Sequence, residues 1–130
     1  MSLNVRVITP DKVVWDANAE ELILPSSTGQ LGILTDHAPL LTALDIGVMR
    51  LKTDSKWTSI VLMEGFAEVE DNKVTILSNG AEEGSKIDSN EAQIELEKVT
   101  LLVDQATTKK EKIEATLELR KAKARLQAVA

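Results

Sequence analysis

The chain contains no cysteine, no tyrosine and a single histidine among its 130 residues. Without cysteine there can be no disulfide framework, no thiol nucleophile and no metal site built on thiolates. The lone His37 gives no recognisable metal-ligand spacing, and no Gly-x-Ser-x-Gly motif accompanies it to form a catalytic triad. A phosphate loop of the Gly-x-x-x-x-Gly-Lys-Ser/Thr type is also missing from the sequence. We therefore expect no enzyme activity, no bound metal and no cofactor.

Aromatic residues make up 2% of the chain, and its net charge is −6 at pH 7. Nucleic-acid binding needs a basic surface for the phosphates and, for single strands, aromatic side chains on which bases stack. Nucleic acid is therefore not an expected partner. No apolar run approaches the ~20 residues that a membrane-spanning helix needs. Any association with a membrane is expected to come through a partner.

Apolar residues alternate with polar ones along much of the first 80 residues. At the start of the chain Leu3, Val5 and Val7 follow the period of two that is typical of a half-buried strand. Asp71-Asn72 separates two such runs and predicts a tight turn within a β-hairpin. Further strands are predicted over residues 13–15, 22–24, 48–51, 60–63, 67–69 and 74–77. Many short strands with close turn signals predict an antiparallel β-sandwich of about ten strands over residues 1–86.

The period changes beyond residue 86. Residues 81–86 have the composition of a loop or linker, and the apolar residues that follow are spaced four, three and four apart, which places them on one face of a helix. The first predicted helix carries Ala92, Leu96, Val99 and Val103 on this face, and the second carries Ala115, Leu119, Ala122 and Leu126. The fold class is therefore α+β, with an antiparallel two-helix hairpin over residues 87–130.

Capping signals mark the start of both helices. Asp88-Ser89-Asn90-Glu91 and Thr108-Lys109-Lys110-Glu111 each place a capping side chain three residues before a glutamate. Short helices depend on packing for their stability, and half of the second apolar stripe is alanine. Docking of the hairpin on the sandwich is expected to contribute on the order of a few kcal/mol. We therefore expect that a partner can undock it.

Residues 29–44 combine apolar side chains with two glycines, a proline and the only histidine. This composition is typical of a shaped contact surface. The segment resembles the signature of the epsilon subunit of F-type ATP synthases. The resemblance extends over the whole chain, through Gly65-Phe66-Ala67-Glu68-Val69 and Val74-Thr75-Ile76-Leu77 to the charged helical tail. Within the family, the chain is most similar to chloroplast and cyanobacterial versions.

The resemblance implies a central-stalk subunit that couples the catalytic sector to the membrane c-ring, peripheral on the stromal or cytoplasmic side of the thylakoid membrane. One departure is Thr35-Asp36, which stands where many family members have Pro-Gly. The alternative interpretation is a loop that merely closes the sandwich. The residues implied in contact with the c-ring and the gamma subunit are Gln30, Ile33, Leu34, Thr35, Asp36, His37 and Ala38.

The hairpin is implied to inhibit ATP hydrolysis. Residues 109–130 hold seven Lys and Arg against three Asp and Glu, whereas residues 1–108 hold eight against eighteen. By the resemblance, an extended hairpin would bring basic residues against acidic segments of the beta and alpha subunits. An ordinary solvated helix face is the alternative. The basic residues in question are Arg120, Lys121, Lys123 and Arg125.

A nucleotide-binding motif of bacterial family members is only partly present. Ile87, Asp88 and Ala92 match it, but Glu91 stands where the motif has an arginine. Adjacent carboxylates repel phosphate, so we expect weak or absent ATP binding. Titration calorimetry that gave a low-micromolar dissociation constant would contradict this expectation. An ATP-sensing module and a generic β-sandwich adaptor remain the alternative functions.

Overall fold

The computed structural model describes residues 2–129. Eight strands come first, a short 3₁₀ turn at Gly84–Lys86 follows, and two helices complete the chain. The strands are β1 (Leu3–Ile8), β2 (Val13–Ala19), β3 (Glu21–Ser26), β4 (Gly29–Leu34), β5 (Leu40–Thr53), β6 (Lys56–Glu70), β7 (Lys73–Ser78) and β8 (Ala81–Glu83), and the helices are α1 (Ser89–Gln105) and α2 (Lys109–Val129).

The period-two pattern produces strands with one buried face. In β1, Leu3, Val5 and Val7 are fully buried, while the alternating Asn4 and Arg6 are exposed. The same alternation runs through β3 and β7. Successive side chains of a strand point to opposite faces, so these residues line a common interior.

Hydrogen bonding joins the strands in the order β2-β1-β7-β6-β5-β3-β4, and β8 pairs with β6. All pairs are antiparallel except β1 with β7. The buried residues of β1, β3, β4 and β7 nevertheless share one core, and β2 also contacts β5 and β8. Strands distant in this order can meet only if the sheet folds over on itself. The predicted β-sandwich is therefore confirmed.

The sandwich is formed from eight strands within residues 2–129, not from about ten, because two strands are long. β5 and β6 run for 14 and 15 residues, and their pairing is interrupted between Leu44↔Gly65 and Ile46↔Met63. At this interruption Glu64 has a φ of 66° and Gly65 a φ of 148°. The predicted runs at residues 60–63 and 67–69 are two halves of one bent strand. Each half belongs to a different part of the folded sheet.

The β6–β7 hairpin turns at Asp71 and Asn72, as the sequence predicts. Both residues have positive φ, 50° and 62°. Two central residues in this conformation match the twist of the flanking strands, and Asp and Asn tolerate it better than most residues. The tight turn between the two strands is thus explained by local chemistry.

Both predicted helix starts are confirmed, although the second differs in detail. Asp88 accepts hydrogen bonds from the backbone N–H groups of Asn90 and Glu91, at 2.8 and 3.1 Å. At α2, Thr108 accepts from the N–H of Glu111 at 3.1 Å, while the Glu111 carboxylate accepts from the N–H of Thr107 at 3.1 Å. These contacts satisfy donors that a helix N-terminus otherwise leaves unpaired.

The hairpin docks on the outer surface of β5 and β6 through a second, smaller apolar cluster. Val61 of β6 is buried there against Ala92 of α1 and Ala124 of α2. The predicted stripes of both helices are buried or half-buried along their common seam. Ile94, Leu101, Leu102 and Ile113 are each at least 50% exposed. Alanines of both helices therefore lie in the docking cluster, while several large apolar side chains of the helices stay exposed to solvent.

Residues 81–86 do not form the expected loop. Ala81, Glu82 and Glu83 pair with Leu62, Val61 and Ile60 of β6. The 3₁₀ turn then leads directly into Ile87, which packs in the docking cluster. Backbone pairing with β6 outweighs the polar, glycine-containing composition that predicts a linker.

Neither helix of residues 2–129 is long and apolar enough to cross a membrane. Side chains of His, Asp and Glu in the same part of the chain do not gather into any group of three that could hold a metal ion.

Candidate partner-binding site

Residues 35–39, here called the contact loop, connect β4 to β5. Asp36 and Ala38 are exposed and Thr35 is half-buried, while Leu34, at the end of β4, is 58% exposed. Ile33 is fully buried and belongs to the sandwich core. Of the predicted contact residues on this segment, Ile33 therefore supports the loop from beneath and presents no surface to a partner.

The contact loop has a defined shape. The His37 N–H donates to the carbonyl of Leu34 at 3.3 Å, and the His37 Nδ1 contacts the Ala38 carbonyl at 2.7 Å. Asp36 has a φ of 63°. The Thr35-Asp36 pair thus supplies a turn where many family members use Pro-Gly, since Asp is one of the few side chains that adopt this conformation readily.

Gln30 lies at a different turn from the contact loop. It is exposed in β4, next to the turn that joins β3 to β4. Ser26 contacts Thr42 through their hydroxyls at 3.1 Å, and the Ser27 N–H donates to the Ala43 carbonyl at 3.1 Å. The predicted contact residues are therefore divided between two places, the β3–β4 turn beside Gln30 and the contact loop. The β3–β4 turn is hydrogen-bonded to β5.

A larger apolar surface crosses five strands, and the sequence patterns do not single it out. Directly paired residues on neighbouring strands share one face of a sheet. One row of such paired residues has an apolar side chain in each of the five strands. Phe66 and Leu77 at its centre are 57% and 53% exposed. We call it the apolar row, and it consists of Val13, Ile8, Leu77, Phe66 and Ala43.

A cleft of about 650 Å³ lies beside the apolar row. Apolar side chains line it together with two acidic residues, Asp45 and Glu64, which lie where the pairing of β5 and β6 is interrupted. Large exposed apolar patches on soluble domains are typical of protein-interaction sites. The cleft fits a partner segment that combines apolar side chains with basic ones.

The four basic residues of the predicted inhibitory set, all on α2, do not form one free surface. Arg125 makes a two-pronged contact with the Glu82 carboxylate, at 3.0 and 3.1 Å. Lys121 lies 3.5 Å from Glu118. Arg120 and Lys123 are exposed. In the docked hairpin, half of the predicted inhibitory set is therefore paired within the chain.

The Arg125–Glu82 contact links the hairpin to the edge of the sandwich. The hydrogen bonds to Glu82 raise the pKa of Arg125, and the carboxylates of Glu91 and Glu95 add to this effect. The Glu82 carboxylate thus holds the guanidinium directly. A two-pronged arginine–carboxylate contact fixes geometry more strictly than a single ion pair does, so this pair acts as a latch for the docked hairpin.

The three residues that match the nucleotide-binding motif have structural roles in this chain. Ile87 and Ala92 are 8% and 1% exposed and pack in the docking cluster, and Asp88 caps α1. Glu91, in place of the motif's arginine, adds negative charge beside Arg125. Arg125, the cation near this motif, is already paired with the Glu82 carboxylate and is therefore not free to bind a phosphate. Weak or absent ATP binding stays a prediction.

These features define a class of protein, a binding module in which a β-sandwich presents partner surfaces and carries a docked helical hairpin. The sequence matches the family model of the β-sandwich domain of the ATP synthase delta/epsilon chain over residues 2–84. The chain belongs to the epsilon chains of ATP synthase, of the chloroplast and cyanobacterial type. It is thus a structural, non-catalytic subunit of the complex that makes ATP.

Relatives of high identity match the chain over nearly its whole length. It is 85% identical to the chloroplastic epsilon chain of Emiliania huxleyi over 100% of both chains. It is 66% identical to that of Guillardia theta, over 99% of this chain and 98% of the relative. Identity to the epsilon chain of the cyanobacterium Thermosynechococcus vestitus is 58%, over 98% and 95%. A membrane-associated complex of the chloroplast type is therefore the setting of this subunit.

Solved structures that share the fold include chains from two mitochondrial ATP synthases. A chain in the Euglena gracilis mitochondrial ATP synthase, in an assembly of OSCP, F1 and c-ring, aligns with a TM-score of 0.86 at 19% identity, over 99% of this chain and 82% of that one. A chain in the central stalk and c-ring of the Tetrahymena thermophila enzyme aligns with a TM-score of 0.63 at 16% identity, over 100% and 98%. At these identities the similarity shows the fold alone.

Proposed function

We propose that the chain is a central-stalk, or rotor, subunit that couples the catalytic sector of a proton-translocating F-type ATP synthase to its c-ring. Two solved structures with this fold are, by their names, an assembly of F1 with a c-ring and a central stalk with a c-ring. The observation that carries the proposal is the apolar row beside an acidic-rimmed cleft, because a stalk subunit has to be held firmly by its neighbours while it turns with them.

The sandwich provides two kinds of partner surface. The exposed Gln30 and the contact loop present short polar turns, suited to the contacts with the c-ring and the gamma subunit. The large side chains of the apolar row, such as Phe66 and Leu77, are exposed in the isolated chain and become buried only when a partner covers them. We assign the row to the gamma subunit, since a continuous rotor shaft needs an apolar, long-lived contact.

The hairpin has a regulatory role in this proposal. Docked, it holds Arg125 against Glu82 and leaves the catalytic sector free. Extended, it would release Arg125 and direct Arg120, Lys121, Lys123 and Arg125 toward the beta and alpha subunits. The modest apolar area at its base supports such an exchange, because a partner has to offset only the docking free energy.

The proposed location follows from the chloroplastic relatives. We place the subunit peripherally on the thylakoid membrane, on the stromal side in chloroplasts and the cytoplasmic side in cyanobacteria. Its attachment there runs through the complex, by contacts with neighbouring subunits.

The variant Phe66→Asp tests the docking surface. We expect it to weaken binding to an epsilon-depleted ATP synthase by more than about tenfold, because it places a charge in the centre of an apolar interface. Phe66 is 57% exposed, so the isolated chain should keep its thermal stability. Binding is measured by titrating the labelled chain onto the depleted complex.

The matched control is Ile94→Asp, which places the same charge on an exposed apolar position, 63% exposed, of the hairpin. It should leave binding within about twofold of the unchanged chain. Equal binding by Phe66→Asp and the unchanged chain would show that the apolar row is not the docking surface.

A further inference from the structure

The contact loop is fastened to the β6–β7 turn by a reciprocal pair of hydrogen bonds. The backbone N–H of Asp36 donates to Asn72 Oδ1 at 2.6 Å, and Asn72 Nδ2 donates to Asp36 Oδ1 at 3.1 Å. Within residues 2–129, these are the hydrogen bonds that tie residues 35–39 to a distant part of the chain. The Asn72 side chain therefore hydrogen-bonds both the backbone N–H and the carboxylate of Asp36.

The turn that carries Asn72 is itself fixed. The Asn72 carbonyl accepts from the N–H of Asn4 in β1 at 2.8 Å, and its neighbours Glu70 and Lys73 are paired across the hairpin. Asn72 and Asp36 both have left-handed backbone conformations, with φ of 62° and 63°. Asn and Asp are the side chains that combine this conformation with hydrogen bonding. The hydrogen bonds between Asp36 and Asn72 thus connect the contact loop to the β6–β7 turn, which is itself held in place by β1.

We infer that Asn72 is a positioning residue, which holds the contact loop in the shape that a rotor partner binds. The inference rests on the proposed function, in which this loop touches the c-ring or the gamma subunit. An exposed loop that is already ordered loses less conformational entropy when a partner binds. Asn72 therefore contributes to affinity through Asp36, His37 and Ala38, without having to touch the partner itself.

Exchanging the two side chains gives a sharp test. Asn72→Asp removes the donor to Asp36 and sets two carboxylates against each other. The double variant Asp36→Asn with Asn72→Asp restores one donor and one acceptor in the reverse order, and both residues still tolerate positive φ. Asn90→Asp makes the same change of charge at an exposed position of α1 and serves as the matched control.

We expect Asn72→Asp to weaken binding to the epsilon-depleted ATP synthase by about tenfold and the double variant to recover most of that loss. Asn90→Asp should bind within about threefold of the unchanged chain, because Asn90 is exposed on α1, away from the contact loop. Unweakened binding by Asn72→Asp, or a double variant that stays as weak, would overturn the inference. Recovery in the double variant separates positioning from a general loss of stability, which thermal unfolding of each isolated chain checks.

A separate measurement tests the contact itself. The chain has no cysteine, so Ala38→Cys introduces one exposed thiol. Labelling it with a photoreactive maleimide allows light to cross-link this position to neighbouring subunits in the assembled complex. Cross-links to the c-ring or gamma subunit support the proposed contact, and their absence removes it together with the inference. Cross-linking at Ala38→Cys with unchanged affinity of Asn72→Asp would leave the contact standing and overturn the role of Asn72 alone.

Discussion

Replacing Gly65 by Ala is expected to destabilise the sandwich by more than about 3 kcal/mol, one of the largest effects of any single methyl group in this chain. Gly65 has a φ of 148°, a conformation that side chains rarely adopt. A Cβ there would overlap the Leu77 carbonyl oxygen and lie 2.8 Å from the Cα of Ser78. Both obstacles are backbone atoms of the paired strand, so the strands would have to separate at the bend.

Urea unfolding followed by tryptophan fluorescence measures this loss. Gly32→Ala is the matched control, because a Cβ at Gly32 meets no atom within 4 Å and its φ is ordinary. That control should change the free energy of unfolding by less than about 0.5 kcal/mol. A Gly65→Ala chain as stable as the control would mean that the bend of β6 does not need glycine.

Replacing Gly84 by Val is expected to undock the hairpin while the sandwich stays folded. A Cβ at Gly84 would lie 2.9 Å from the Ala128 carbonyl oxygen and 3.2 Å from that of Ser59. The end of α2 and strand β6 thus close on this glycine from two sides. Overpacking of this kind costs about 1–3 kcal/mol, comparable with the docking free energy itself.

Trp57 reports the change. It lines a groove with Gly84, Ala128 and Val129, whereas Trp15 packs against the sandwich core. Undocking should shift the Trp57 emission toward longer wavelength and raise the hydrogen-exchange rates of α1 and α2, with β1 and β7 still protected. Gly80→Ala is the control, since its Cβ would meet only the flexible Met63 side chain. Full protection of both helices in Gly84→Val would contradict the expected undocking.

Much of the fold follows from local patterns. The alternation of Leu3, Val5 and Val7 predicts a strand with one buried face, and the structure has it. The Asp88 cap, the Asp71-Asn72 turn and the seams of both helices also follow from chemistry within a few residues. Such features need no knowledge of what the chain packs against.

Features that depend on distant residues could not be predicted in this way. The bend at Glu64 joins two apolar runs into one strand, and period-two patterns do not distinguish a bend from a break. Phe66 and Leu77 look like core residues, because the pattern cannot tell which face of a strand stays uncovered. Polar composition likewise predicts a linker where β8 pairs with β6.

The candidate site shows the same division. The exposed contact loop agrees with the composition of residues 29–44, but Ile33 turns inward to the core. Arg125 belongs to the basic tail by sequence, yet it pairs with Glu82, 43 residues away. Charge counts describe the tail as a whole and cannot assign partners to individual side chains.

The central claim is that one chain holds a docking sandwich and a hairpin whose position sets inhibition. The most direct test is ATP hydrolysis by an epsilon-depleted catalytic sector, titrated with the unchanged chain and with Gly84→Val. The undocked variant keeps every charge of α2, so we expect it to inhibit at about tenfold lower concentration. Adding Arg120→Ala, Lys121→Ala and Lys123→Ala to it should remove that inhibition without loss of binding. Equal inhibition by the docked and undocked chains would contradict the claim.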